Sequence, residues 1–188
     1  MLENLKRYVF IKRATKFINT NLRDRRFVNY EKAKSILILF ESDYSEKNIL
    51  VRRIIRNLVN DGKKVSAWGY IEKKEITTAI LPDFRVLHQK DTDFFQKPKV
   101  SFFNELEDME FDLLIDLTVN EVLPLQYIAI HANALCKTGS IKNELEVYDF
   151  AINLENINSN DEEEPMDINA RYIFDQIIFY LKSIQTKD

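Results

Sequence analysis

Unbroken apolar runs alternate along the chain with stretches where apolar residues recur at three- and four-residue steps. That alternation predicts buried strands separated by helices. Ser35-Ile36-Leu37-Ile38-Leu39-Phe40 has the continuous character of a parallel strand covered on both faces. Asp43-Tyr44-Ser45-Glu46 follows with the spacing of a capping box. Ile49, Leu50, Ile54, Leu58 and Val59 then form the stripe of a helix that Asp61-Gly62 stops, with Gly62 expected at positive φ. Lys64 to Tyr70 reads as a second strand. Strand, helix and strand within ~35 residues make a right-handed βαβ unit.

Further along, Phe84-Arg85-Val86-Leu87-His88 reads as a short strand after a turn at Pro82-Asp83. Phe94, Phe95, Val100, Phe102 and Phe103 gather aromatic core material before a short helix around Asn104–Met109. Phe111 to Leu117 is the second strong buried-strand signal, expected beside Ser35–Phe40 at the sheet centre. Pro124 suits the first turn of a helix whose apolar face is Leu125, Ile128, Ala129, Ala132 and Leu135. A short strand at Thr138–Ile141 and an alternating one over Tyr148–Leu154 come next. Asp161 to Glu164 and Pro165 open a last helix carrying Ile168, Ile173, Ile177 and Leu181.

Ahead of this alternation, Leu2, Leu5, Val9, Ala14, Phe17 and Leu22 mark a helix of ~20 residues with cations between them. The predicted architecture is therefore α/β: an open, mostly parallel sheet in a Rossmann-like three-layer sandwich, with an appended N-terminal basic amphipathic helix. Residues 1–26 are read as that helix and residues 27–188 as a single α/β domain.

Composition sharpens this picture mainly by exclusion. Three glycines and four prolines leave little material for phosphate-cradling loops. A single cysteine excludes a disulfide framework and a multi-cysteine zinc site, and two histidines make histidine-rich metal chemistry a poor fit. The longest stretch free of Asp, Glu, Lys and Arg, Val122 to Cys136, is shorter than the ~20 residues of a spanning helix. No apolar run near the start resembles a signal peptide, so the cytoplasm is the expected location.

The charge is uneven. Residues 1–34 hold Lys6, Arg7, Lys12, Arg13, Lys16, Arg23, Arg25, Arg26, Lys32 and Lys34 against Glu3, Asp24 and Glu31, while residues 141–188 are strongly acidic. Such an arm suits a nucleic acid, an anionic membrane surface, a protein partner or a second copy of the chain. The alternative is that the two ends dock on one another.

In open α/β sheets, ligands bind beyond the carboxyl ends of the strands at the switch in strand order. Here those positions are Glu41, Ser42 and Asp43, then Gly69 and Tyr70, then His88, Gln89 and Lys90, and finally Thr118, Asn120 and Glu121. The first loop has two carboxylates and no glycine, which opposes a dinucleotide or ATP phosphate; neither a cofactor nor a metal is expected. Asp116, Asp43 and His88 are the candidate catalytic residues. Asp112 and Asp116 share a strand face about 13 Å apart, beyond the ~5–5.5 Å of a retaining carboxylate pair. Asp116 equally suits hydrogen bonds to the amides of its following loop. His131 and Cys136 read as core residues, the thiol as a small buried hydrophobe.

The run Phe111 to Thr118, followed by Leu123-Pro124-Leu125-Gln126-Tyr127-Ile128-Ala129 and Ala134-Leu135-Cys136-Lys137-Thr138-Gly139, resembles an uncharacterised family of small bacterial α/β proteins. That resemblance implies the fold and carries a domain-of-unknown-function label. The same pattern is similar to the acceptor-side half of lipopolysaccharide heptosyltransferases, with no counterpart here to their donor-nucleotide half. Three functions follow as expectations. The first is a non-enzymatic cytosolic binding or adaptor module; the others are a small transferase- or hydrolase-like enzyme at the strand ends, and a structural subunit of a homo-oligomer.

Overall fold

The computed structural model describes residues 2–43, 46–72, 84–154 and 168–184. Its centre is a six-stranded, wholly parallel sheet of β1 (Ser35–Glu41), β2 (Lys64–Ile71), β3 (Arg85–His88), β4 (Glu110–Asp116), β5 (Asn133–Ser140) and β6 (Phe150–Ile152). The strands lie in the order β3-β2-β1-β4-β5-β6, so the winding reverses between β1 and β4. These two adjacent strands are the two continuous apolar runs. Side chains alternate along β1, with Leu37 and Leu39 packing into one hydrophobic layer and Ile36, Ile38 and Phe40 into the other.

Reversal of the winding sends the crossover helices to opposite faces. Helices α2 (Glu46–Asn60) and α5 (Ala170–Ser183) cover one layer through Val51, Ile54, Leu58, Ile173, Ile177 and Leu181. Helices α3 (Val100–Glu107) and α4 (Leu123–His131) cover the other through Phe102, Leu106, Leu125 and Ile128. Gly62 ends α2 at φ 77, where a β-carbon would be strained. The capping-box segment before α2 includes residues 44–45, the Pro82-Asp83 turn lies within 73–83, and the acidic run lies within 155–167; all fall outside the described residues. Within them, Asn169 caps α5 by accepting from the amides of Arg171 and Tyr172.

Several boundaries differ from the sequence expectation: the N-terminal helix, read as residues 1–26, ends at Thr20, and the last helix begins at Ala170, past Ile168. The helix expected to reach Leu135 stops at His131, and Ala134 and Cys136 are buried strand residues of β5. Small apolar residues in a continuous run fit either a buried strand or a buried helix, and here pairing with β4 decides. The helix expected at Asn104–Met109 begins earlier, at Val100, using Phe102 and Phe103 as core anchors. The strand expected over Tyr148–Leu154 is confined to Phe150–Ile152.

The N-terminal helix, α1 (Leu2–Thr20), lies alongside α4. Phe10 is fully buried with its ring edge-on to Tyr127, and Phe17 stacks on His131 at 3.9 Å between centroids. Much of the basic arm is consumed internally. Arg7 pairs with Glu121 and Glu144, Arg13 with Asp93, and Arg23 with Asp149. Glu144 and Asp149 belong to the acidic half, so the two ends of the chain dock in part on one another. Lys12 and Lys16 remain on the exposed face. Among the described residues, no helix is long and apolar enough to cross a membrane.

Candidate functional site

At the carboxyl ends of β1 and β4 the chain must leave the sheet in opposite directions, and a crevice of about 470 Å³ opens there. Its polar wall comes from five parts of the chain: Glu41 and Ser42 at the end of β1, Tyr70 and Glu72 at the end of β2, Gln96 ahead of α3, Asn120 and Glu121 after β4, and Glu3 from α1. The wall carries four carboxylates, of which Glu3 pairs with Lys6 at 2.6 Å and Glu121 with Arg7 at 3.0 Å. Burial first, then the carboxylates of Glu72 and Glu3, push the Tyr70 phenol up to about 12. Ser42 is 7% exposed, and its hydroxyl has no hydrogen-bond partner among the described residues. A buried, unsatisfied hydroxyl costs roughly 1–3 kcal/mol, so it is a group that a ligand can satisfy.

Beside the crevice, Asp116 is wholly buried at the end of β4. Its Oδ1 accepts from the Thr118 amide at 2.9 Å and the Thr118 hydroxyl at 2.7 Å. Its Oδ2 accepts from Gln126 Nε2 at 3.1 Å, Lys142 Nζ at 2.9 Å and the Tyr148 hydroxyl. Five donors on one carboxylate is a saturated arrangement. Burial first, and then the Asp116 charge, hold the Tyr148 phenol well above the usual tyrosine range, which keeps it a donor. Gly139 on β5 makes the arrangement geometrically possible. A β-carbon there would stand 2.9 Å from the Tyr148 ring and 3.2 Å from Cβ of Asp116.

The three candidate catalytic residues are therefore in different surroundings. Asp116 is joined to Thr118, Gln126, Lys142 and Tyr148. His88 ends β3, three strand positions away and so about 14 Å across the sheet. Its Nδ1 lies 3.0 Å from the Asp91 carboxylate; burial, aided by Lys90 and Arg85, lowers its pKa against the pull of Asp91. Asp43 follows β1 at the same rim, half-buried. Asp112, the other strand aspartate, accepts from the amides of Lys34 and Ser35 at the opposite end of β4. Those bonds hold its pKa low despite burial. Cys136 is buried on β5, where burial pushes its thiol up.

Sequence reasoning placed Glu41, Ser42, Tyr70, Asn120 and Glu121 at the strand ends, and they line the crevice. It missed Glu3, Glu72, Lys142 and Tyr148. Lys142 and Tyr148 lie 26 and 32 residues beyond Asp116, and only the β5–β6 connection folding back over Gly139 brings them in. The one local signal was Gly139, a glycine inside a buried strand.

Fold and rim together define a doubly wound α/β protein with its crevice at the topological switch point. Residues 6–165 match the Family of unknown function (DUF6913), and the chain belongs to that family. No curated protein and no solved structure matches it. The likeness to the heptosyltransferase acceptor half accordingly remains an expectation of the sequence.

Proposed function

We propose that the protein is a non-enzymatic, cytoplasmic binding module whose switch-point crevice takes a small organic cation rich in hydrogen-bond donors, such as a polyamine. The observation that carries this reading is the carboxylate-lined wall of the crevice, where Glu72 and Glu3 help to raise the Tyr70 phenol, combined with the buried Ser42 hydroxyl, which has no hydrogen-bond partner among the described residues. Carboxylates at this point of the fold repel the phosphates that glycine-rich loops attract, and they accept N–H groups instead. Saturation of Asp116 by five donors supports a binding role over a catalytic one for the rim. The lone, buried cysteine agrees with a reducing compartment.

Calorimetric titration of the full chain with spermidine, with ATP and NAD as controls, tests this reading. Spermidine is expected to bind and to weaken as salt is raised, because the crevice is open to solvent. Glu72→Gln is expected to weaken it about tenfold or more, as loss of one charge-assisted hydrogen bond is worth about 1.5–3 kcal/mol. Binding of ATP or NAD in preference to spermidine, or no heat with spermidine at all, contradicts the reading.

A further inference from the structure

The other end of α1 covers a second cavity of about 410 Å³, with a lining of different chemistry. Its walls are apolar, from Phe17, Ile18 and Leu22 of the α1 end, Ile130 of α4 and Val147 of the β5–β6 connection. Its charged groups are mainly cationic: Lys137, Arg23 and Arg25, with Glu146 at the edge. Lys137 is the unusual member. It sits in the middle of β5 on the α1 side of the sheet and is 3% exposed.

Buried lysines ordinarily meet a carboxylate or several acceptors. Lys142 does, through Asp116. Lys63 does, through the carbonyls of Tyr30 and Glu31 and the face of the Tyr30 ring. The Lys137 ammonium has three donors and, among the described residues, one acceptor, the Ile130 carbonyl at 3.0 Å, and no carboxylate within ion-pair distance. Asp149, whose charge acts on the amine, is spent on Arg23, and receives the Lys137 backbone amide rather than its side chain.

We infer that this cavity is a binding site for an amphiphilic carboxylate, its head on Lys137 and its apolar body along Phe17, Ile18, Leu22 and Ile130. Two unspent donors on a buried ammonium at the edge of an apolar cavity are what such a head requires. Arg23 and Arg25 add a positive field that also disfavours the protonated amine, and burial pushes Lys137 down to about 7. An anion placed there relieves both costs. The groups facing the amine are Arg23 and Arg25 from the segment after α1, His131 from α4, and Glu146 and Asp149 from the β5–β6 connection. Burial lowers the pKa of His131, so its ring stays uncharged above pH 7.

Capping of α4 is the competing role for Lys137, since Ile130 lies in the last turn of that helix. Titration of the full chain with octanoate, with octanol as the uncharged control, separates the two. Octanoate is expected to bind and octanol to bind about tenfold or more weakly, as a charge-assisted contact is lost. Lys137→Met is expected to remove that preference. Ile18→Trp, which fills the cavity from a half-buried wall position, is expected to abolish binding of both while leaving the Lys137 amine in place. Octanoate affinity is expected to fall by up to about tenfold per pH unit from pH 7 to 9, as binding comes to require proton uptake. Equal binding of octanoate and octanol, unchanged binding by Lys137→Met or Ile18→Trp, or no octanoate binding overturns the inference and leaves the helix cap as the role of Lys137.

Discussion

Two lysines a short way apart, Lys137 within β5 and Lys142 just beyond it, both bury their side chains and do opposite things. Lys142 closes a saturated network on Asp116 and locks the β5–β6 connection over the sheet. Lys137 holds one carbonyl and keeps two donors for the cavity beneath α1. The contrast extends to the two cavities, one acidic at the strand ends and one basic under the far end of α1. Helix α1 contributes to both, with Glu3 in the first and Phe17 and Ile18 in the second. Burial alone does not say what a charge is for; its unspent hydrogen-bonding capacity does.

The largest expected effect breaks the locked side of this comparison. Lys142→Met leaves the Asp116 carboxylate buried without its counter-ion and is expected to cost about 3–5 kcal/mol in urea unfolding. A cost under about 1 kcal/mol would mean that Thr118, Gln126 and Tyr148 suffice. Gly139→Ala tests the same lock sterically, through a β-carbon 2.9 Å from the Tyr148 ring. About 1–3 kcal/mol is expected to be lost, with altered tyrosine absorbance, as Tyr148 is displaced.

Lys137 gives the sign of the other side. Its pKa is about 7 in the folded chain and near 10.4 unfolded, so between those values the unfolded state holds the extra proton. Stability of the wild type relative to Lys137→Met is therefore expected to rise from pH 7 toward 10, by up to about 1.4 kcal/mol per unit, and to be flat below pH 7. A flat difference across the whole range would remove the strained amine from the account. The smallest effect belongs to the exposed cations of α1. Lys12→Glu and Lys16→Glu are each expected to change stability by about 0.5 kcal/mol or less, whereas Arg23→Gln, which severs Asp149 and two carbonyls, costs more.

The fold was legible where a signal is local. Continuous apolar runs placed β1 and β4 at the centre, and an Asp-Gly pair marked the end of α2, because burial on both faces and a left-handed turn each leave a mark in a few consecutive residues. Ala132 to Leu135 was not legible, since small apolar residues serve helix and strand alike until a neighbouring strand claims their amides. The crevice was legible as a place, from the strand ends, and only partly as a set of residues. Glu3 and Glu72 enter through packing of α1 and the reach of β2, which no spacing encodes. Charge counting showed a basic arm but not its destination; the pairing of Arg7 with Glu144 and of Arg23 with Asp149 is a tertiary fact.

The central claim is that the acidic crevice, and not the basic cavity, receives an organic cation. A titration of the isotope-labelled full chain with spermidine, followed by amide chemical shifts, tests it most directly. The account predicts saturable shifts at Ser42, Tyr70, Asn120 and Glu121, with Lys137 and Val147 unmoved. Shifts confined to other surfaces, or none at the crevice at saturating spermidine, would contradict it.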